Sequence, residues 1–104
     1  MDLKDLRLEH FAGLVGEIFR AQLDGENVVE LELTEAKPAA GERAGSAFSI
    51  VFTGSLDTYL EQRIYDLEHG ELGKISIFLV PIGRGKDGFL YEAVFTRLEE
   101  EATP

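Results

Sequence analysis

The chain has 104 residues, with 10 basic side chains against 20 acidic ones, two histidines and no cysteine. That length suits one domain, because two cores would each sit near the lower limit for independent folding. A net charge of −10 speaks against nucleic acid and anionic membranes, both of which demand clustered Lys and Arg, and the lack of cysteine excludes a disulfide scaffold, thiol catalysis and cysteine–zinc sites. Apolar residues make up 44% of the chain, an ordinary globular value that argues against disorder. No apolar run approaches the roughly 18 residues of a membrane span and no basic-then-apolar leader opens the chain, so a cytoplasmic location is expected.

In chain order, Leu3, Leu6, Phe11, Leu14 and Val15 recur at mixed three- and four-residue spacing, which predicts a short helix near Leu8–Leu14 that Gly16 stops. Arg7 stands where a capping Ser, Thr or Asp would be expected. Period two then takes over. Glu17–Asp24 alternates with Phe19, Ala21 and Leu23 on one face, and Val28–Ala36 with Val29, Leu31 and Leu33 inward. Between them Asp24-Gly25-Glu26-Asn27 supplies turn chemistry, so the two runs read as a hairpin. Lys37–Ser46, with Pro38, Gly41 and Gly45, is a loop. Ala47–Thr53 is a strand burying Phe48, Ile50 and Phe52, and Gly54–Glu61 is irregular. Arg63–His69 puts Tyr65, Leu67 and His69 on one face. Gly70–Gly73 reverses the chain into Lys74–Ile82, where Ile75, Ile77 and Leu79 face one way and Phe78 and Val80 the other. Apolar residues on both faces of that strand suggest a central position or a covering helix. The last strand runs from Phe89 to about Thr96 with Phe89, Tyr91, Ala93 and Phe95 inward.

The fold class is therefore mainly β: a six-stranded antiparallel small barrel or sandwich with one short N-terminal helix. Residues 1–98 form the domain and 99–104 an acidic flexible tail.

Several pieces of the chain act together as a signature. They are the Leu8–Gly16 helix with its Val-Gly end, Phe48-Ser49-Ile50-Val51-Phe52 with Gly54, Arg63-Ile64-Tyr65-Asp66-Leu67-Glu68-His69, Leu72-Gly73, Ile77-Phe78-Leu79-Val80-Pro81-Ile82-Gly83 and Tyr91-Glu92-Ala93-Val94-Phe95. From about Leu6 to Phe95 the chain resembles a family of bacterial stand-alone domains of about this length without an assigned function. The resemblance implies a gene neighbourhood of phage-tail-like and tail-collar proteins, and it carries no catalytic residues.

Candidate chemistry is sparse. Gly83-Arg84-Gly85-Lys86-Asp87-Gly88 matches G-x-G-x-x-G, but a dinucleotide site needs a helix N-terminus after the glycines and here a strand follows. A flexible hairpin tip is the better reading, with Arg84 and Lys86 as contacts for a partner. His10 and His69 have no H-x-H or H-x-x-x-H spacing and no third ligand, so no metal is expected. Ser49, Ser55 or Ser76 could be named beside either histidine for a triad, without any G-x-S-x-G elbow. Glu30 with Glu32, and Asp66 with Glu68, are carboxylate pairs about 6.5–7 Å apart on a strand face opposite the apolar one, where solvation keeps them from acid–base work.

These observations predict a non-catalytic interaction or assembly domain, in a phage-tail-like system by the resemblance, with no cofactor and no small-molecule substrate. The alternative is a ligand-binding barrel lined by Phe48, Phe52, Tyr65, Tyr91 and Phe95. Phe78, Val80, Leu90 and Val94 would form a second apolar strip that either the helix covers or a partner does, so a homodimer or a protein partner is expected on the face carrying Phe78 and Leu90.

Overall fold

Strands with one apolar face each can bury those faces together only by folding over or closing on themselves. In the computed structural model, which describes residues 7–38 and 47–96, they close. Helix α1 (Leu8–Ala12) precedes β1 (Ile18–Gln22), β2 (Val28–Pro38), β3 (Ala47–Gly54), β4 (Arg63–His69), β5 (Gly73–Arg84) and β6 (Phe89–Thr96). All neighbours pair antiparallel in the order β1-β2-β3-β6-β5-β4, and β4 returns to β1. A closed barrel thus decides between the two architectures that alternation alone allowed.

β3 pairs with β6 along its whole length, from Ala47↔Thr96 to Gly54↔Phe89, whereas β1 meets β4 only from Arg20↔Glu68 to Gln22↔Asp66. The connection 55–62 therefore has to pass β6 and β5 to reach β4, and it buries Leu60 on the way. Tyr91, inside β6, holds it: the Tyr91 hydroxyl accepts the Leu60 N–H at 2.9 Å. Burial pushes the Tyr91 phenol above its ordinary pKa, and the bond from Leu60 offsets part of that rise.

The other end of the barrel is closed by α1. Phe11 is fully buried with its ring centroid 5.9 Å from Phe48 and 5.5 Å from Phe95, and those two rings stack at 4.8 Å. Between the ends, Phe19 meets Phe52 edge-on at 5.2 Å, among the fully buried Leu31, Leu33, Ile50 and Leu79. The aromatic side chains that would line a ligand cavity thus pack on one another and on these aliphatics, each such burial contributing about 1.5–3 kcal/mol.

Several boundaries move. The helix stops at Ala12 rather than Leu14, since Gly13 and Gly16 flank a run of turns in which Gly16 N–H already bonds Leu33 O at 2.7 Å. His10 was expected at the helix surface beside Phe11. It is half-buried, and its Nδ1 accepts the Arg7 N–H at 2.8 Å, which supplies the cap that Arg7 lacks. β1 ends at Gln22, before Asp24, and the turn follows as expected, with Leu23 N–H to Asn27 O at 2.8 Å and Gly25 at a φ of 59°. β2 runs on to Pro38, and a bulge between Leu33 and Glu35 shifts the inward parity so that Ala36 faces Ile50. β5 reaches Arg84 through a second bulge, between Pro81 and Gly83, a place where the missing proline N–H is tolerated.

The strand buried on both faces is β3, not β5: Ser49 and Val51 are buried beside Phe48, Ile50 and Phe52. Phe89 and Phe95 face inward as expected but are only half-buried. Residues 39–46 of the expected loop, the tail 99–104, Leu3 and Leu6 lie outside the described residues. Among the described residues, no helix is long and apolar enough to cross a membrane.

Candidate interaction surface

His69 is tightly constrained at the end of β4, only 7% exposed and stacked on Phe19 with ring centroids 4.6 Å apart. Its Nδ1 accepts the N–H of Glu71 at 3.0 Å and, more weakly, that of Leu72 at 3.4 Å. An accepting nitrogen carries no proton, so the neutral ring keeps its hydrogen on Nε2 and donates it to Glu17 Oε1 at 2.7 Å. Glu17, His69 and Glu71 bring ligand atoms within 4.8 Å of one another, close enough to hold a metal ion. The chemistry of the donors tells against one. With Nδ1 turned to two backbone N–H groups and Nε2 protonated, the ring offers a cation no lone pair. The cluster instead fastens the β4–β5 turn to the segment that enters β1.

The other residues nominated for chemistry are dispersed. Ser76 Oγ donates to Asp66 Oδ1 at 2.6 Å on the outer wall, and Ser55 Oγ accepts the Asp57 N–H at 2.9 Å. Ser49 is buried in β3. Glu30, Glu32, Asp66 and Glu68 are exposed on the outer wall, on the side the alternation assigned to them. In the glycine motif, the hairpin 85–88 is closed by Gly85 N–H to Gly88 O at 2.8 Å. Its last glycine is needed for packing, because a Cβ on Gly88 would run into the carbonyl oxygen of Gly54. Arg84 and Lys86 are exposed at this tip.

The outer wall has two unlike sectors. Across β2, β1, β4 and β5, successive register partners are Glu30, Arg20, Glu68 and Lys74, a row in which the sign of charge alternates. Further along β4 and β5 the partners become Ile64 and Phe78, exposed by 64% and 49%. On β6, Val94 is 60% exposed, and the register that sets Val80 opposite Glu92 carries Phe78 to the level of Val94. Ile82, pushed out by the bulge, is also exposed, and Val80 and Leu90 are half-buried. Helix α1 packs against β2 and β3 at the barrel end, so it is not what covers this strip.

Phe78, Val80, Leu90 and Val94 were expected on one face, and they share the outer wall of β5 and β6. Ile64 was missed. It has the parity of Asp66 and Glu68, and an apolar residue at the end of a polar face was the available signal. Glu17 was missed as the partner of His69, since it lies 52 residues away with no local pattern joining the two.

No curated protein and no solved structure matches the chain. A family model described as Domain of unknown function (DUF6916) matches residues 6–95, the stretch over which the resemblance in the sequence runs. With a match over nearly its whole length, the chain belongs to the DUF6916 family.

Proposed function

We propose that this domain is a non-catalytic interaction module that receives a protein partner on the outer wall of β4, β5 and β6. One observation carries the reading: Ile64, Phe78 and Val94, all about half exposed or more, stand side by side on adjacent strands. A patch of this kind, on the order of 400 Å², is near the upper range of what monomers leave open and commonly marks a binding surface. The closed barrel limits how the partner binds. Each strand has a neighbour on both sides, so no free edge invites strand addition, and contact is made through side chains. Arg84 and Lys86, at the tip beyond Leu90, give the strip a basic margin. The resemblance to domains from phage-tail-like gene neighbourhoods supports a structural component of such a particle as the partner.

The test is co-purification from the native source with wild-type chain and with a Phe78→Asp, Val94→Lys variant. Selective loss of a stoichiometric partner from the folded variant is expected. Equal recovery by both chains, or a wild type that retains nothing, overturns the reading.

A further inference from the structure

The apolar strip has an acid at its centre. Glu92 points outward from β6, half-buried, between Leu90 and Val94 along the strand. Val80 on β5 and Val51 on β3 are its register partners on either side. Among the described residues the ion pairs are Lys37–Glu35 and His69–Glu17, so nothing in the described barrel neutralises Glu92. A partner that covers the strip removes water from this carboxylate, and an ionised group taken out of water without a counter-charge is strongly disfavoured.

That condition selects the occupant. In a second copy of the chain packed face to face, two Glu92 carboxylates would share one dry interface between chains of charge −10 each. The strip is also small for a dimer: doubled, it stays below the roughly 1,200 Å² that a stable specific interface buries. A cationic side chain set among apolar ones satisfies the same geometry. Arginine suits it better than lysine, since its planar group can bond the carboxylate through two N–H groups and lie flat on an aromatic face. Phe78 supplies that face, half exposed and diagonal to Glu92 across β5 and β6.

We infer that the partner presents an arginine flanked by apolar side chains, the guanidinium pairing with Glu92 and lying against Phe78 while its neighbours cover Ile64 and Val94. This rests on the strip being a docking surface. The test uses two tripeptides, acetyl-Leu-Arg-Leu-amide and its neutral analogue with citrulline for arginine, titrated into the isotope-labelled full chain. Amide shifts of Ile64, Phe78, Glu92 and Val94 are expected to move together, with the citrulline peptide about three- to five-fold weaker, as for one partly exposed ion pair. Glu92→Gln should erase that difference and leave the weaker binding intact. Equal binding of the two peptides at the strip, or shifts spread over the acids of β2 and β4, overturns the arginine and leaves the docking surface standing. No response at the strip to either peptide removes the docking surface itself. A wild type that sediments as a dimer through Phe78 overturns the arginine in favour of a second copy.

Discussion

The walls over β2–β1–β4 and over β5–β6 are built on one plan and finished differently. Both point apolar side chains inward: Phe19, Leu31 and Leu67 on one side, Ile77, Leu79 and Tyr91 on the other. Outside, the first carries Glu30, Arg20 and Glu68 in a row of alternating charge, and the second carries Phe78, Val80 and Val94. The first sector is complete in water, since each charge has an opposite one beside it. The second leaves apolar surface in contact with solvent, where a partner can cover it. The barrel needs only the inner set of each strand, so the outer set is free to differ, and it is there that the two sectors take separate roles.

Removing an inner side chain should hurt the two sectors alike. Phe19→Ala under the charged wall and Leu79→Ala under the apolar one should each cost about 3–5 kcal/mol, through lost burial and the cavity left behind. Phe78→Ala, on the outer wall, should cost about 0.5 kcal/mol or less. Urea unfolding of the three variants measures this. A Phe78→Ala loss as large as that of Leu79→Ala would mean that the strip is covered within the chain and that the contrast is false.

A polar group under each wall gives the next two effects. His69→Ala removes the acceptor for the Glu71 and Leu72 N–H groups, the bond to Glu17 and the stacking on Phe19. A loss of about 2 kcal/mol is expected, because buried donors are left unpaired. Amide exchange at Glu71 and Leu72 should rise far more than at Ala93; a uniform rise would mean that the turn is held by other contacts. Under the apolar wall, the raised pKa of Tyr91 means that the fold favours the neutral phenol. Its contribution is therefore fully present below the unfolded value of about 10 and is lost as pH rises through the higher native value. Tyr65 adds to the same alkaline loss, since burial raises it too, against the lowering effect of Arg63. Tyr91→Phe should lower stability by about 1 kcal/mol at neutral pH and flatten the decline between pH 9 and 11 in urea titrations. An unchanged alkaline slope would assign the whole decline to other groups.

How much of this was open to reading follows from the range of each interaction. Period two placed all six strands, because the pleat forces Phe48, Ile50 and Phe52, or Tyr65, Leu67 and His69, to one side whatever surrounds them. The outer set was legible for the same reason, and Phe78, Val80, Leu90 and Val94 came out together. What closes the barrel was not. The pairing of Ala21 with Leu67, and the bond from His69 to Glu17, join residues about fifty apart in sequence, and no local pattern encodes such a meeting. The two bulges escaped as well. Thr34 and Ile82 are single extra residues, and one of them is enough to reverse parity and send Ala36 inward or Ile82 outward. The double burial of β3 could have been read from Phe48-Ser49-Ile50-Val51-Phe52, which scarcely alternates, yet β5 showed the same pattern, and only the position of the covering elements separates the two.

The smallest effect tests the charged sector itself. Arg20 sits between Glu30 and Glu68 in the register, with Lys74 beyond Glu68. Arg20→Glu would put three acids abreast on neighbouring strands. All are exposed, so each repulsion is weak, and a total loss near 0.5–1 kcal/mol is expected at low ionic strength. Screening should remove most of it, since the Debye length falls from about 30 Å at 0.01 M salt to about 3 Å at 1 M, shorter than the spacing between adjacent strands. The measurement is the urea midpoint of wild type and variant in 0.01 M and 1 M sodium chloride. Convergence of the two proteins in high salt would locate the effect in the charge row. A gap that persists in 1 M salt would mean that the Arg20 stem, lying along β1 over its neighbours, matters more than its charge, and the charged sector would then owe its stability to packing, as the apolar one does.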